Sequence, residues 1–197
     1  EIYMFKDKTV LVTGGTGFLG KAVCNNLKSH GYKKVIPIGR KYDLTGIRRA
    51  YDAVLDTNPE AIIHLAATVG GIGANKDNPG LFMYNNLAMV GTVCSYPKFT
   101  EVPFKEEDIW NGYPEETNAP YGIAKKSLMQ LIMSYHEQYG FNGTNLIPVN
   151  MYGPHDNFDP KISHVIPALI LKFHKAMRDT PHEPVEIWGT GEASREF

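Results

Sequence analysis

Tyr121 and Lys125 are the residues of this sequence best placed to move a proton. They lie in Asn118-Ala119-Pro120-Tyr121-Gly122-Ile123-Ala124-Lys125, and Pro120 suits the first turn of a helix, where its missing N–H costs nothing. On such a helix Tyr121 and Lys125 are four apart and share a face. A phenol titrates at about pH 10, too high for acid–base work at neutral pH. An ammonium beside it favours the phenolate and lowers that value. The pair then suits proton transfer to or from a carbonyl or alcohol oxygen. Tyr and Lys at this spacing also occur by chance, as an exposed tyrosine beside a solvated lysine, so the reading depends on what precedes them.

The first candidate strand, Thr9-Val10-Leu11-Val12-Thr13, is apolar and β-branched. It runs into Gly14-Gly15-Thr16-Gly17-Phe18-Leu19-Gly20, a G-x-x-G-x-x-G pattern, and a helix is predicted from about Phe18 to Ser29, with Gly31 placed to stop it. Strand, glycine turn and helix form the context of a phosphate-binding turn: bare backbone approaches a pyrophosphate and the helix N-terminus faces its charge. The next strand, Lys34–Ile38, ends at Gly39-Arg40-Lys41, with no acid before Asp43. An acid at that place would bind the ribose 2′-hydroxyl of NAD, whereas arginine accommodates a 2′-phosphate, so Arg40 points to NADP(H). The alternative is that Arg40 and Lys41 are solvated loop charges.

Thr45 is a candidate cap for a helix carrying Ile47, Ala50, Tyr51, Val54 and Leu55. Ala61–Ala67 reads as a third strand, apolar enough for a parallel sheet covered on both faces. In it His64 reads as a packed rather than a catalytic histidine. A glycine-rich loop follows, then a helix from Pro79. Gly91-Thr92-Val93-Cys94-Ser95 holds three hydroxyl or thiol side chains. Thr92 could hold a substrate oxygen, and Cys94 could serve as an acid or base with a lowered pKa. Cys94 read alone is a small buried hydrophobe, and Ser95 reads as structural. Gly140 caps the tyrosine helix. Asn145–Asn150 and Val185–Trp188 are further strand candidates, and a helix is expected from about His164 to Met177.

The 197 residues, 43% of them hydrophobic, allow one domain or one domain and part of another. With 20 basic and 21 acidic residues and a net charge of −1, no basic stripe argues for nucleic acid. Cys24 and Cys94 make no disulfide framework, which fits a reducing cytoplasm. No signal peptide and no membrane-spanning apolar run is seen, and no metal site is expected.

A glycine turn, a hydroxyl after a later strand and then Y-x-x-x-K make the pattern of an extended short-chain dehydrogenase/reductase. His64-Leu65-Ala66-Ala67, Val69-Gly70-Gly71-Ile72, Cys94-Ser95-Tyr96-Pro97, Asn150–Phe158, Ser163-His164-Val165-Ile166-Pro167 and Trp188-Gly189-Thr190-Gly191 narrow it. Together they resemble the GDP-L-fucose synthase family, from about Thr9 to Phe197. The resemblance implies an α/β fold with a doubly wound, mostly parallel, Rossmann-type sheet. Residues 1–158 would bind the cofactor and residues 159–197 would begin an incomplete C-terminal substrate-binding part. It implies epimerisation of GDP-4-keto-6-deoxy-D-mannose at C3 and C5, then reduction at C4 by NADPH, in a homodimer. Thr92, Tyr121 and Lys125 match the reductase triad, and Cys94 and His164 match the epimerisation acid/base pair. NADP(H) would lie against Gly14, Gly17, Phe18, Leu19, Gly20, Arg40, Asp43, Leu44, Ala66, Ala67, Tyr121, Lys125 and Asn150. The GDP-sugar would meet Lys172, Trp188 and Arg195 near Asn150.

Geometry adds one expectation. A crossover helix takes about a dozen residues and a strand about five, yet Met89-Val90 still reads as helix and Gly91-Thr92-Val93-Cys94 already reads as the catalytic turn. A stretch is therefore expected to be missing between Met89 and Thr92. Either the chain lacks a helix end and a strand, or residues have dropped out and the numbering has closed over them. The second is favoured, because a sheet without that strand would expose unpaired edges.

Overall fold

The computed structural model describes residues 6–68, 77–87, 95–160, 162–187 and 189–192. Among these residues a parallel sheet of three strands forms, β1 (Thr9–Thr13), β2 (Lys34–Ile38) and β3 (Ala61–His64), in the order β2-β1-β3. Thr9 pairs with Lys34 on one side of β1, and Val10 with Ala61 on the other. Helices α1 (Phe18–Ser29) and α2 (Ile47–Thr57) connect the strands. The chain moves from β1 outward to β2 and then crosses back past β1 to β3. That reversal creates a switch point at the C-terminal ends of β1 and β3, where ligands bind in open α/β sheets.

Alternation along β1 explains the layers. Val10 and Val12 face Cys24 of α1, with Val23, Leu27, Val35 and Ile63 packed around them. Leu11 faces the other way, onto Ile38 and Ala53 of α2. A helix thus lies on each face of β1, and fully burying a side chain such as Leu11, 1% exposed, contributes about 1.5–3 kcal/mol. Ala53, rather than the larger apolar residues of α2, makes the close approach; Ile47, Tyr51 and Leu55 stay exposed. Helices α3 (Pro79–Leu87) and α4 (Ala119–Tyr139) pack on each other, and α5 (Val165–Asp179) follows. A 3₁₀ turn at Glu106–Trp110, not predicted from sequence, precedes α4.

Several expectations change. The N-cap of α2 is Gly46, not Thr45. Thr45 is engaged with Asp43 instead, donating from both its amide (3.1 Å) and its hydroxyl (2.6 Å) to the carboxylate. β3 ends at His64 rather than Ala67: Leu65 N still reaches the Thr13 carbonyl (3.1 Å) as well as its hydroxyl, and Ala66 N donates to the hydroxyl instead of a strand carbonyl. Residues 145–150 and 185–187 are not strands. A strand needs a ladder partner, and among the described residues β3 pairs with β1 alone. The stretch expected to be missing falls at Met89–Thr92, outside the described residues. Among those residues no helix is long and apolar enough to cross a membrane.

Candidate active site

The glycine turn forms as a close crossing of three elements. Gly14 has φ +66°, and a Cβ there would stand 2.9 Å from the amide nitrogen of Ala66. A Cβ on Gly20 would run into the carbonyl oxygen of Gly14 and lie 2.5 Å from Gly15 Cα, so α1 can pack onto the turn only without a side chain. Gly15 N donates to Ile38 O (2.9 Å) and to Val12 O (3.2 Å), tying the turn to β2. Gly17 is the N-cap of α1; no side chain caps that end and its first turn holds no acid. A helix start with no side-chain cap and no acid in its first turn suits a pyrophosphate. Phe18 and Leu19 are half-buried just behind.

At the end of β2, Arg40 is exposed and Asp43 is occupied by Thr45, whose hydroxyl holds its carboxyl below the usual range. Leu44 packs into the core beneath α2. Ala66 and Ala67 lie half-buried at the end of β3. Arg40, Asp43 and Leu44 thus follow the C-terminal end of β2, and Ala66 and Ala67 follow that of β3.

Ahead of α4, Glu115 orders the chain by accepting from the Thr117 amide (3.0 Å), the Asn118 amide (3.3 Å) and the Thr117 hydroxyl. Pro120 then falls in the first turn of the helix. Tyr121 and Lys125 both turn inward, 6% and 2% exposed, which removes the reading of a solvated pair. Lys125 Nζ lies 4.9 Å from the centroid of the Tyr121 ring. Burial lowers the Lys125 pKa to about 7, so its charge is in balance at neutral pH. Ser95, 1% exposed, is among the most deeply buried side chains, and Pro97 bridges to Pro114 just before α4.

The structure also joins residues that sequence reasoning left apart. Thr13 Oγ1 lies 2.7 Å from His64 Nδ1. Burial, and next the charge of Lys125, depress the His64 pKa to about 4. The lysine of α4 thus bears electrostatically on the end of β3. The contact follows from the sheet register, which sets Thr13 beside His64 at the strand ends, and nothing in the sequence announced it.

Other expected residues stand as follows. Thr92, Cys94, Trp188 and Arg195 lie outside the described residues. His164 is the exposed N-cap of α5. Lys172, also exposed, donates to Glu186 O (2.7 Å). Asn150 is exposed in the irregular segment leading to Gly153, where an added Cβ would be 3.8 Å from the Phe18 ring. A cavity of about 240 Å³ opens there, lined by Tyr152, Gly153, Asp156, Phe158 and Ile166. Asp156 Oδ2 and Ser163 Oγ are buried without a hydrogen-bond partner.

Comparison with known proteins adds to this geometry. The profile of the NAD dependent epimerase/dehydratase family matches residues 10–90 and 87–197. The chain belongs to that family. A GDP-L-fucose synthase of Sinorhizobium fredii is 36% identical over 215 aligned positions, covering 100% of this chain and 68% of that protein. A GDP-L-fucose synthetase of Naegleria fowleri, solved bound to NADP, is 32% identical with a TM-score of 0.84, over 96% of this chain and 68% of that one. A GDP-mannoheptose C4 reductase of Campylobacter jejuni with NADP bound is 29% identical with a TM-score of 0.79, over 88% and 57%. The chain spans 64–68% of the length of the curated relatives it matches. Family membership agrees with the switch-point sheet and with the buried tyrosine and lysine.

Proposed function

We propose that this chain acts as an NADPH-dependent epimerase-reductase that converts GDP-4-keto-6-deoxy-D-mannose to GDP-L-fucose. The observation that carries the reading is the buried Tyr121–Lys125 pair beside the ends of β1 and β3. Its support from outside is the run of GDP-L-fucose synthases at about a third identity. The bound cofactor supplies a hydride to C4. Tyr121 gives its hydroxyl proton to the C4 oxygen, Lys125 steadies the resulting phenolate, and Thr92 holds the same oxygen. Protons at C3 and C5 are acidic because each neighbours the ketone, and Cys94 and His164 form the acid/base pair that inverts those centres. Lys172, Trp188 and Arg195 are assigned to binding the GDP-sugar and Asn150 to binding the cofactor near it, by the resemblance of the sequence.

The test is to mix protein, NADPH and the keto sugar in deuterated water. Loss of absorbance of the reduced nicotinamide together with deuterium at C3 and C5 is expected. No oxidation of NADPH overturns the reading. Oxidation without deuterium would favour a reductase that does not epimerise, the reading favoured by the Campylobacter C4 reductase likeness.

Arg40 is proposed to select NADPH through its 2′-phosphate, in support of which Asp43 is already engaged by Thr45. Arg40→Ala is expected to lower the NADPH-over-NADH preference by roughly ten- to a hundredfold. An unchanged ratio of dissociation constants refutes the role.

A homodimer is proposed through α3 and α4, which leave Leu81, Tyr84, Leu131, Met133 and Tyr139 about half or more exposed. Light scattering at micromolar concentration should give twice the chain mass; a monomer mass refutes it. The missing stretch near Met89–Thr92 is likewise proposed. Its support is that the family profile matches in two pieces meeting at residues 87–90, and that the first relative aligns over 215 positions against 197 residues here.

A further inference from the structure

We propose that Thr13 and His64 form a positioning clamp at the switch point, in which the Thr13 hydroxyl fixes His64 as the neutral Nε2–H tautomer and pins the Leu65–Ala66 backbone against the glycine turn. The role of this clamp in cofactor binding rests on the dinucleotide reading above; the tautomer does not.

The assignment follows from counting bonds at one oxygen. Thr13 Oγ1 accepts from Ala66 N at 3.2 Å and from Leu65 N at 3.1 Å, an N–H that it shares with the Thr13 carbonyl, also at 3.1 Å. A hydroxyl has two lone pairs and one proton. With both lone pairs engaged, the proton goes to the neighbour at 2.7 Å, His64 Nδ1. Nδ1 is then an acceptor, so a neutral ring carries its proton on Nε2. Thr13 is 4% exposed, and its partners His64, Leu65 and Ala66 are half-buried.

The clamp sits where two cofactor-facing pieces of chain meet. Thr13 is the last residue of β1, and Gly14, next to it, leaves only 2.9 Å between a hypothetical Cβ and Ala66 N. The Thr13 hydroxyl, together with its carbonyl, therefore ties the start of the glycine turn to the Leu65–Ala66 backbone. The titratable groups that bear on His64 are Lys125 from α4 and, through it, Tyr121, whose ring the ammonium overlies. A second cation on His64 would oppose the charge of Lys125. The hydrogen bond from Thr13 favours the neutral ring and so keeps that charge available to Tyr121.

The test begins with the unmodified protein. A ¹⁵N–¹H correlation spectrum of the histidine rings, assigned with His64→Gln, should show His64 with Nδ1 unprotonated and Nε2 protonated at neutral pH. An Nδ1–H tautomer overturns the proposal without any variant being made. Thr13→Val keeps the shape and removes the hydroxyl, whereas Thr13→Ser keeps it. In Thr13→Val the His64 titration midpoint should move upward, and the dissociation constant for NADPH should rise about five- to tenfold, as expected for the loss of one hydrogen bond. Thr13→Ser should keep both near the original values. If Thr13→Val leaves the His64 titration where it was, the proposal is wrong. Should Thr13→Val fail to fold, the tautomer and the serine variant still decide. Absence of NADPH binding by the unmodified protein would refute the dinucleotide reading, while the tautomer would continue to decide the clamp.

Discussion

Tyr121→Phe is expected to slow oxidation of NADPH by the keto sugar by about 10²–10⁴-fold, the range for loss of a positioned general acid. Hydride arriving at C4 puts negative charge on its oxygen, and without a proton donor that charge stays on the alkoxide. The substitution removes one oxygen from a side chain that is 6% exposed and leaves the ring on which Lys125 packs. Folding and cofactor affinity should therefore be nearly unchanged, which separates a chemical loss from a structural one. Exchange of the C3 and C5 protons with solvent should persist, because that step uses Cys94 and His164 in the proposed division of labour. Cys94→Ser should do the reverse, slowing exchange while sparing NADPH binding. Mass spectrometry of recovered sugar and nicotinamide absorbance read the two steps separately. Equal loss of both in both variants would refute separate roles.

The parts of the fold that rest on local pattern were legible in the sequence. Thr9–Thr13 and Lys34–Ile38 are strands with the expected bounds, because their alternating apolar residues meet a helix on each face. Helix α4 begins beside Pro120 and stops at Gly140 with φ +65°, each doing what its backbone chemistry allows. What could not be read depends on contacts between distant residues. Where β3 ends, Ala66 N donates to a hydroxyl 53 residues away in sequence, a contact that no local pattern announces. Thr45 is an ordinary cap by type, but Asp43 two residues earlier competes for it and wins. Asn145–Asn150 has strand composition and no ladder partner among the described residues, and composition alone cannot supply one. The same holds within the site. Spacing predicted that Tyr121 and Lys125 share a face; only the packing of α4 shows that this face is buried and that His64 feels the lysine.

Lys125→Met is expected to abolish reduction and at the same time to stabilise the fold, by an amount that depends on pH. Lys125 is 2% exposed and its pKa falls from 10.5 to about 7 through burial. The physical cause is desolvation: an ammonium leaves water without full repayment, so the folded state holds this proton less tightly than the unfolded chain does. Below pH 7 both states are charged and the folded protein bears the whole cost. Between about 7 and 10.5 the unfolded chain keeps a proton that the folded protein has released, so stability rises with pH. Above that window both states are neutral and the cost is gone. The shift corresponds to a difference on the order of 5 kcal/mol across the window, taken as an upper bound. Methionine fills similar volume without a charge to desolvate. Its advantage over lysine in urea unfolding should be greatest at pH 6, shrink through pH 8 and 9, and vanish near pH 10.5. A gain that stays constant with pH would mean that packing, not desolvation, is what the substitution changes. A loss of stability at pH 6 would mean that the ammonium's contacts, including the Tyr121 ring, outweigh the cost of burying it. A more stable variant that no longer reduces its substrate would show that the fold carries this lysine for chemistry alone.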